Sequence, residues 1–198
     1  MCGRFVMKID KKDLDEIIEQ VQANLDEGTE LLSIKMEGEV FPTNIVPIKT
    51  AGGIRPMRWG FRTGKRDVIN ARSETVMEKP MFRGAMIERR CLILASGYYE
   101  WKKEADGSKT KYEFSNPGEA LTYLAGCYRI ESDAPGASFV ILTRDATDEF
   151  APIHDRMPVV LSSTQADEWL GIDGAADGTD ITALIEQSVV DLTSVVVS

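Results

Sequence analysis

Apolar residues recur at helical spacing early in the chain: Leu14, Ile17, Ile18, Val21 and Leu25. The spacing predicts a helix from Asp10 to Leu25, with Asp10 as its N-cap and Gly28 as its stop. Glu39 to Ile48 carries two prolines among β-branched residues, which excludes a helix and predicts extended chain. Gly52-Gly53 marks a turn, and short apolar segments follow at Met57–Phe61 and Val68–Ile69. Between Glu74 and Ile87 the pattern allows one or two short helices broken by Pro80. Strands are predicted at Cys91–Ala95, Tyr98–Trp101, Lys111–Phe114, Leu121–Tyr128 and Phe139–Thr143. Ala105-Asp-Gly-Ser and Asn116-Pro-Gly-Glu are turn chemistry, so this stretch reads as a β-meander. Helices are expected at Ser163–Leu170 and Thr179–Gln187, and a closing strand at Val189–Val197. No linker interrupts the pattern, which predicts one α+β domain with a mostly antiparallel sheet.

Composition narrows the functional classes. The chain has 198 residues, 43% hydrophobic and 28% charged, ordinary for a globular protein and unlike a disordered or collagenous one. No apolar run is long enough to span a bilayer, and the start has no apolar leader core. The expected location is therefore cytoplasmic, nucleoid-associated if the source is bacterial, with no membrane contact. Cys2, Cys91 and Cys127 form no CxxC pair, and His154 is the one histidine. That set offers no metal-ligand spacing, so neither a metal nor another cofactor is expected.

Charge is unevenly placed. The net charge is −9, yet residues 55–90 hold ten basic and four acidic side chains, +6 in all. A solvated surface laced with salt bridges explains this as well as an anion-binding groove does. Eight of the ten basic residues are arginine, which suits bidentate contact with phosphate.

Several short segments carry candidate chemistry. Removal of Met1 would make Cys2 the N-terminus, placing an amine of pKa about 8 beside a thiol of pKa about 8.5. Such a pair captures an aldehyde as an imine and then closes a thiazolidine; it also suits acyl transfer. An accidental residue at a frayed terminus is the plainer account. Ile69-Asn-Ala-Arg-Ser-Glu-Thr places Asn70 and Arg72 at a turn, where either Asn70 or Ser73 could simply cap a helix. Glu100 stands among aromatics in Gly97-Tyr-Tyr-Glu-Trp, where burial would raise its pKa for acid–base work; an outward-facing carboxylate is the common alternative. His154 lies in Pro152-Ile-His-Asp-Arg-Met-Pro as a candidate proton carrier or a structural histidine. Cys91 and Cys127 read as core.

Taken in order, Met1-Cys-Gly-Arg-Phe, Asn44-Ile-Val-Pro, Arg58-Trp-Gly-Phe, Ile69-Asn-Ala-Arg-Ser-Glu-Thr, Lys79-Pro-Met-Phe-Arg, Arg89-Arg-Cys-Leu, Gly97-Tyr-Tyr-Glu-Trp and His154-Asp-Arg-Met-Pro resemble the SOS response-associated peptidase (SRAP) family. The resemblance runs from residue 1 to about residue 162. It implies a single SRAP domain over 1–198 with a barrel-like sheet and flanking helices. It further implies a sensor of abasic sites in single-stranded DNA that forms a covalent thiazolidine crosslink through Cys2, with Asn70, Glu100 and His154 as the other active-site residues. Strand cleavage by a lyase step and crosslink reversal are chemically accessible from the same imine. Arg4, Asn44, Trp59, Arg72, Arg83 and Arg156 would be the DNA-binding residues, Trp59 by stacking on a base or wedging beside the lesion. The protein would act as a monomer. Family members often carry Pro and a second Trp soon after the Trp-Gly pair; here Phe61-Arg-Thr-Gly-Lys-Arg-Asp has neither, and Arg62, Lys65 and Arg66 could compensate electrostatically. Two other readings remain: a cysteine-dependent autopeptidase or thiol hydrolase, and a non-covalent single-strand binder.

Overall fold

The computed structural model describes residues 2–64, 66–132, 135–171, 179–188 and 191–197. Met1 and Lys65 therefore lie outside the described residues, as do the first two positions of the expected closing strand.

The first helix, α1 (Lys11–Ala23), starts where the sequence predicts, with the Asp10 carboxylate accepting from Asp13 N at 3.0 Å. Its buried residues are Ile17 and Val21, and it packs on β4 (Gly53–Trp59). The second helix corrects an expectation. Pro80 does not break it; α2 (Pro80–Glu88) begins there, with the proline in the first turn, where its missing N–H costs nothing. Residues 73–78 before it are turns. Helices α3 (Ser163–Gly171) and α4 (Thr179–Glu186) fall where expected.

The strands form two sheets. The first has the order β13 (Thr193–Val197), β8 (Lys109–Ser115), β7 (Gly97–Lys103), β1 (Phe5–Met7), β2 (Gly38–Val40). The second is a barrel. Strands β10 (Ala137–Asp145), β4, β3 (Ile45–Thr50), β6 (Arg90–Ala95) and β9 (Thr122–Ile130) pair in sequence, and β9 pairs back to β10 to close the ring. β5 (Asn70–Arg72), β11 (Arg156–Pro158) and β12 (Val160–Leu161) attach to it. The pairings are antiparallel except that β4 and β5 run parallel to β10. The architecture is α+β, mostly antiparallel, as the sequence predicts.

Closure explains the unbroken apolar runs. Alternate residues of β6, β9 and β10 enter two different cores. Cys91, Ile93, Leu124, Phe139 and Ile141 join the core inside the barrel, which continues to the first sheet through Phe5, Tyr98 and Phe114. Leu92, Ala125, Val140 and Leu142 join a second core, with residues from α2, α3 and α4. Both faces of these strands are buried, so polar alternation disappears. The buried Arg90 guanidinium ties this side together, donating to the carbonyls of Met86, Ile87 and Trp169 at 2.7, 2.9 and 2.9 Å.

Candidate active site

Four segments deliver the four residues singled out by sequence. Cys2 precedes β1, Asn70 opens β5, Glu100 sits within β7, and His154 lies in the turn between β10 and β11. The structure brings them to the junction of the two sheets.

Cys2 is fully buried. Its Sγ lies 3.9 Å from the Arg4 carbonyl oxygen, which also accepts from Tyr99 N on β7 at 2.9 Å. Burial, and next the charge of nearby Glu100, hold the thiol well above the ordinary range. Asn70 Nδ2 donates to the Cys2 carbonyl oxygen at 2.9 Å. Asn70 Oδ1 is buried and has no hydrogen-bond partner among the described residues. The peptide that carries Asn70 is itself held: Ile69 O accepts from Trp59 Nε1 at 3.0 Å and from Ile141 N at 3.1 Å.

Glu100 is buried, not outward-facing. Burial raises its pKa to about 7, and nearby Asp155 adds to the rise. Its Oε2 lies 3.8 Å from His154 Nε2. His154 Nδ1 accepts from Arg156 N at 3.0 Å, so its lone pair is taken and the proton of the neutral ring belongs on Nε2, facing Glu100. Asp155 Oδ1 lies 2.9 Å from the same Nδ1. That closeness is an ion pair only when the ring is doubly protonated; in the neutral ring the backbone hydrogen bond decides the tautomer. Burial pushes the His154 pKa below its ordinary value, so the neutral ring prevails at pH 7. A buried carboxyl group with a raised pKa thus faces a neutral imidazole N–H beside a cysteine near the start of the chain. Such a set can take up and return protons at neutral pH.

The proposed DNA contacts divide. Arg72 and Arg83 are exposed, with no ion pair among the described residues. Arg72 lines a groove of about 400 Å³ with Asn70, Lys79 and Met81. Asn44 is half-buried and uses Oδ1 to accept from Phe41 N at 3.0 Å, closing a turn. Arg4 pairs with Glu39 at 3.1 Å. Arg156 is engaged internally, with Glu74 at 2.7 and 2.9 Å, Asp145 at 2.5 Å and the Thr143 carbonyl at 2.8 Å. It reaches a phosphate only by exchanging a carboxylate.

Trp59 requires a correction. Its ring has no exposed surface, lying 5.2 Å from Phe5 and 6.3 Å from Phe139 between centroids. It offers no face to a base and supports Asn70 instead. Of the basic residues expected to compensate, Arg62 and Arg66 are described, and Lys65 lies outside the described residues.

Sequence reasoning passed over Tyr98. Its hydroxyl is buried, without a hydrogen-bond partner among the described residues, and burial followed by the charges of Cys2 and Glu100 raises its pKa well above normal. The available signal was position: Tyr98 and Glu100 share one face of a strand.

Comparison with known proteins places the chain among relatives. The chain is 32% identical over 191 residues to the abasic site processing protein YoqW of Bacillus subtilis, spanning 86% of this chain and 80% of the relative. It is 30% identical over 187 residues to the abasic site processing protein YedK of Escherichia coli, spanning 86% and 79%. A crystal structure of a protein from Bacteroides thetaiotaomicron shares the fold, with a TM-score of 0.75, 23% identity, and coverage of 100% of this chain and 92% of that one. The SOS response associated peptidase (SRAP) family model matches residues 1–198, and the chain belongs to that family.

Proposed function

We propose that the protein processes abasic sites in single-stranded DNA by forming a thiazolidine crosslink through Cys2 once Met1 has been removed. The observation that carries this reading is the meeting of Asn70, Glu100 and His154 around residue 2, with Asn70 bonded directly to the Cys2 carbonyl. The names of the relatives YoqW and YedK, abasic site processing proteins, support the substrate class.

The chemistry runs amine first. The Cys2 amine attacks C1′ of the ring-opened sugar, and loss of water gives an imine. The thiol then adds across the C=N bond: sulfur bonds to C1′ and its proton ends on nitrogen. Burial disfavours a free thiolate here, so a reaction that needs the thiol only at ring closure suits the site better than thiolate-first attack on a peptide. Glu100, with a pKa of about 7, takes and returns protons during ring opening and imine formation. His154 exchanges its Nε2 proton with the sugar oxygen, and Asn70 orients residue 2. Arg72, Lys79 and Arg83 offer charge to the phosphates. The imine also permits β-elimination, the chemical basis of a lyase step. The reading takes one cytoplasmic monomer as the acting unit.

The test uses untagged protein whose intact mass shows that Met1 is absent, mixed with a single-stranded oligonucleotide bearing one abasic site. A heat-stable shifted band is expected on a denaturing gel, lost in Cys2→Ala while non-covalent binding persists. No band from processed protein, or a band that survives Cys2→Ala, overturns the assignment.

A further inference from the structure

With Trp59 sealed in the core, an aromatic surface for DNA has to lie elsewhere. One lies beside the start of the chain. Phe41 is 41% exposed. It stands in the turn between β2 and β3, and its position there is fixed. Phe41 N donates to Asn44 Oδ1 at 3.0 Å, Asn44 N donates to Phe41 O at 3.1 Å, and Thr43 takes a φ of 77°. The Arg4 guanidinium lies 4.1 Å from the centroid of the Phe41 ring and 5.0 Å from that of Trp101. Lys111 Nζ lies 6.0 Å from the Trp101 ring. Arg4 and Lys111 share Glu39, two cations on one carboxylate. Arg4 also connects the patch to the site, because its carbonyl oxygen lies 3.9 Å from Cys2 Sγ.

We propose that Phe41, with the Arg4 guanidinium stacked on it, is a platform for the nucleobase next to the abasic nucleotide. The inference rests on the DNA reading above. A missing base leaves its neighbour with one unstacked face, so that neighbour is the base most easily received by a protein ring. A ring backed by a cation complements both the π-face of the base and the phosphates around it. The turn holds Phe41 in place beforehand, so little ordering is needed on binding. Stacking of this kind tolerates any base, as a lesion sensor requires.

The experiment measures binding to single strands carrying tetrahydrofuran, an unreactive abasic analogue, either with ordinary bases on both sides or with tetrahydrofuran also replacing both neighbours. Phe41→Ala should weaken binding to the first strand at least 5-fold, within the roughly 5- to 150-fold range of an aromatic–base stack. Phe41→Leu, which keeps apolar bulk and guards against misfolding, should lose most of the same affinity. On the second strand both variants should match wild type within about 2-fold. Equal losses on both strands, or no loss on the first, overturn the platform. If wild type crosslinks a natural abasic site while the Phe41 variants behave as wild type on both strands, the platform alone fails. If wild type neither binds nor crosslinks, the DNA reading and the platform fall together.

Discussion

Trp59 and Ile69 are joined by a hydrogen bond from the indole N–H to the carbonyl oxygen, 3.0 Å long, one residue before Asn70. The bond makes the buried indole of β4 a support for the amide that reaches Cys2. Trp59→Phe keeps a ring against Phe5 and Phe139 but removes the donor and some volume. The expected cost is about 1–3 kcal/mol of stability. Crosslinking should slow, while affinity for undamaged single strands stays within about 2-fold. Denaturant melts with parallel binding and crosslinking assays check this; a large loss of plain binding with normal crosslinking would return Trp59 to the DNA surface.

Glu100 links activity and stability to pH. Its folded pKa is raised from about 4.5 to about 7, so the folded state disfavours the carboxylate. Stability from this group is fully present below about pH 4.5 and is lost as pH rises through about 7, on the order of 3 kcal/mol in total. Glu100→Gln should abolish that loss, leaving a flatter melting profile between pH 4.5 and 7.5. The crosslinking rate should rise with pH through about 7 in wild type, as the carboxylate forms and can take protons. In Glu100→Gln that inflection should vanish and the rate should fall at least 10-fold. An unchanged rate profile would remove Glu100 from the proton transfers.

Much of this was legible in the sequence, for physical reasons that differ by element. α1 was readable because its cap and its apolar spacing are local. β6, β9 and β10 were readable from their apolar runs, and β7 and β8 from the turn chemistry between them. β5 was missed: its three residues pair parallel with β10, and nothing within Asn70–Arg72 announces a partner some seventy residues away. The helix start at Pro80 was misjudged because a proline reads alike as a breaker and as a first residue. Cys2, Asn70, Glu100 and His154 could be named from ordered motifs, but their convergence could not. Trp59 shows the limit most plainly, since a tryptophan beside an arginine and a glycine looks the same in sequence whether it faces DNA or the core.

Arg156 and Glu74 set a check on electrostatics. Glu74 is held below the usual carboxylate range chiefly by its hydrogen bond from Arg156. Glu74 is 44% exposed at its side chain, so solvent screens the pair and its loss should cost no more than about 1 kcal/mol. Glu74→Gln should release Arg156 toward phosphate. Binding to single strands should tighten about 2- to 10-fold, and the slope of log K against log salt should steepen by about 0.7, one further phosphate contact. A salt titration of both proteins decides it; an unchanged slope would leave Arg156 a purely internal tie between the turn after β5, β10 and β11.

Gly97 tests how far the site depends on the register of its strand. A Cβ built there would lie 2.6 Å from the Phe114 carbonyl oxygen, a backbone atom of β8 that cannot rotate away. Tyr98 and Glu100 follow directly, paired with Phe114 and Tyr112. Gly97→Ala should therefore push β7 from β8 and cost about 1–3 kcal/mol or more, as overpacking against fixed atoms does. The displacement should also move Glu100 relative to His154, so crosslinking should fall further than the unfolded fraction explains. Gly118→Ala is the control: its nearest atom is the side-chain oxygen of Asn116 at 3.5 Å, an ordinary contact. Paired melts and crosslinking rates should separate the two variants by at least 1 kcal/mol. Equal behaviour would mean that β7 and β8 can part without disturbing the site.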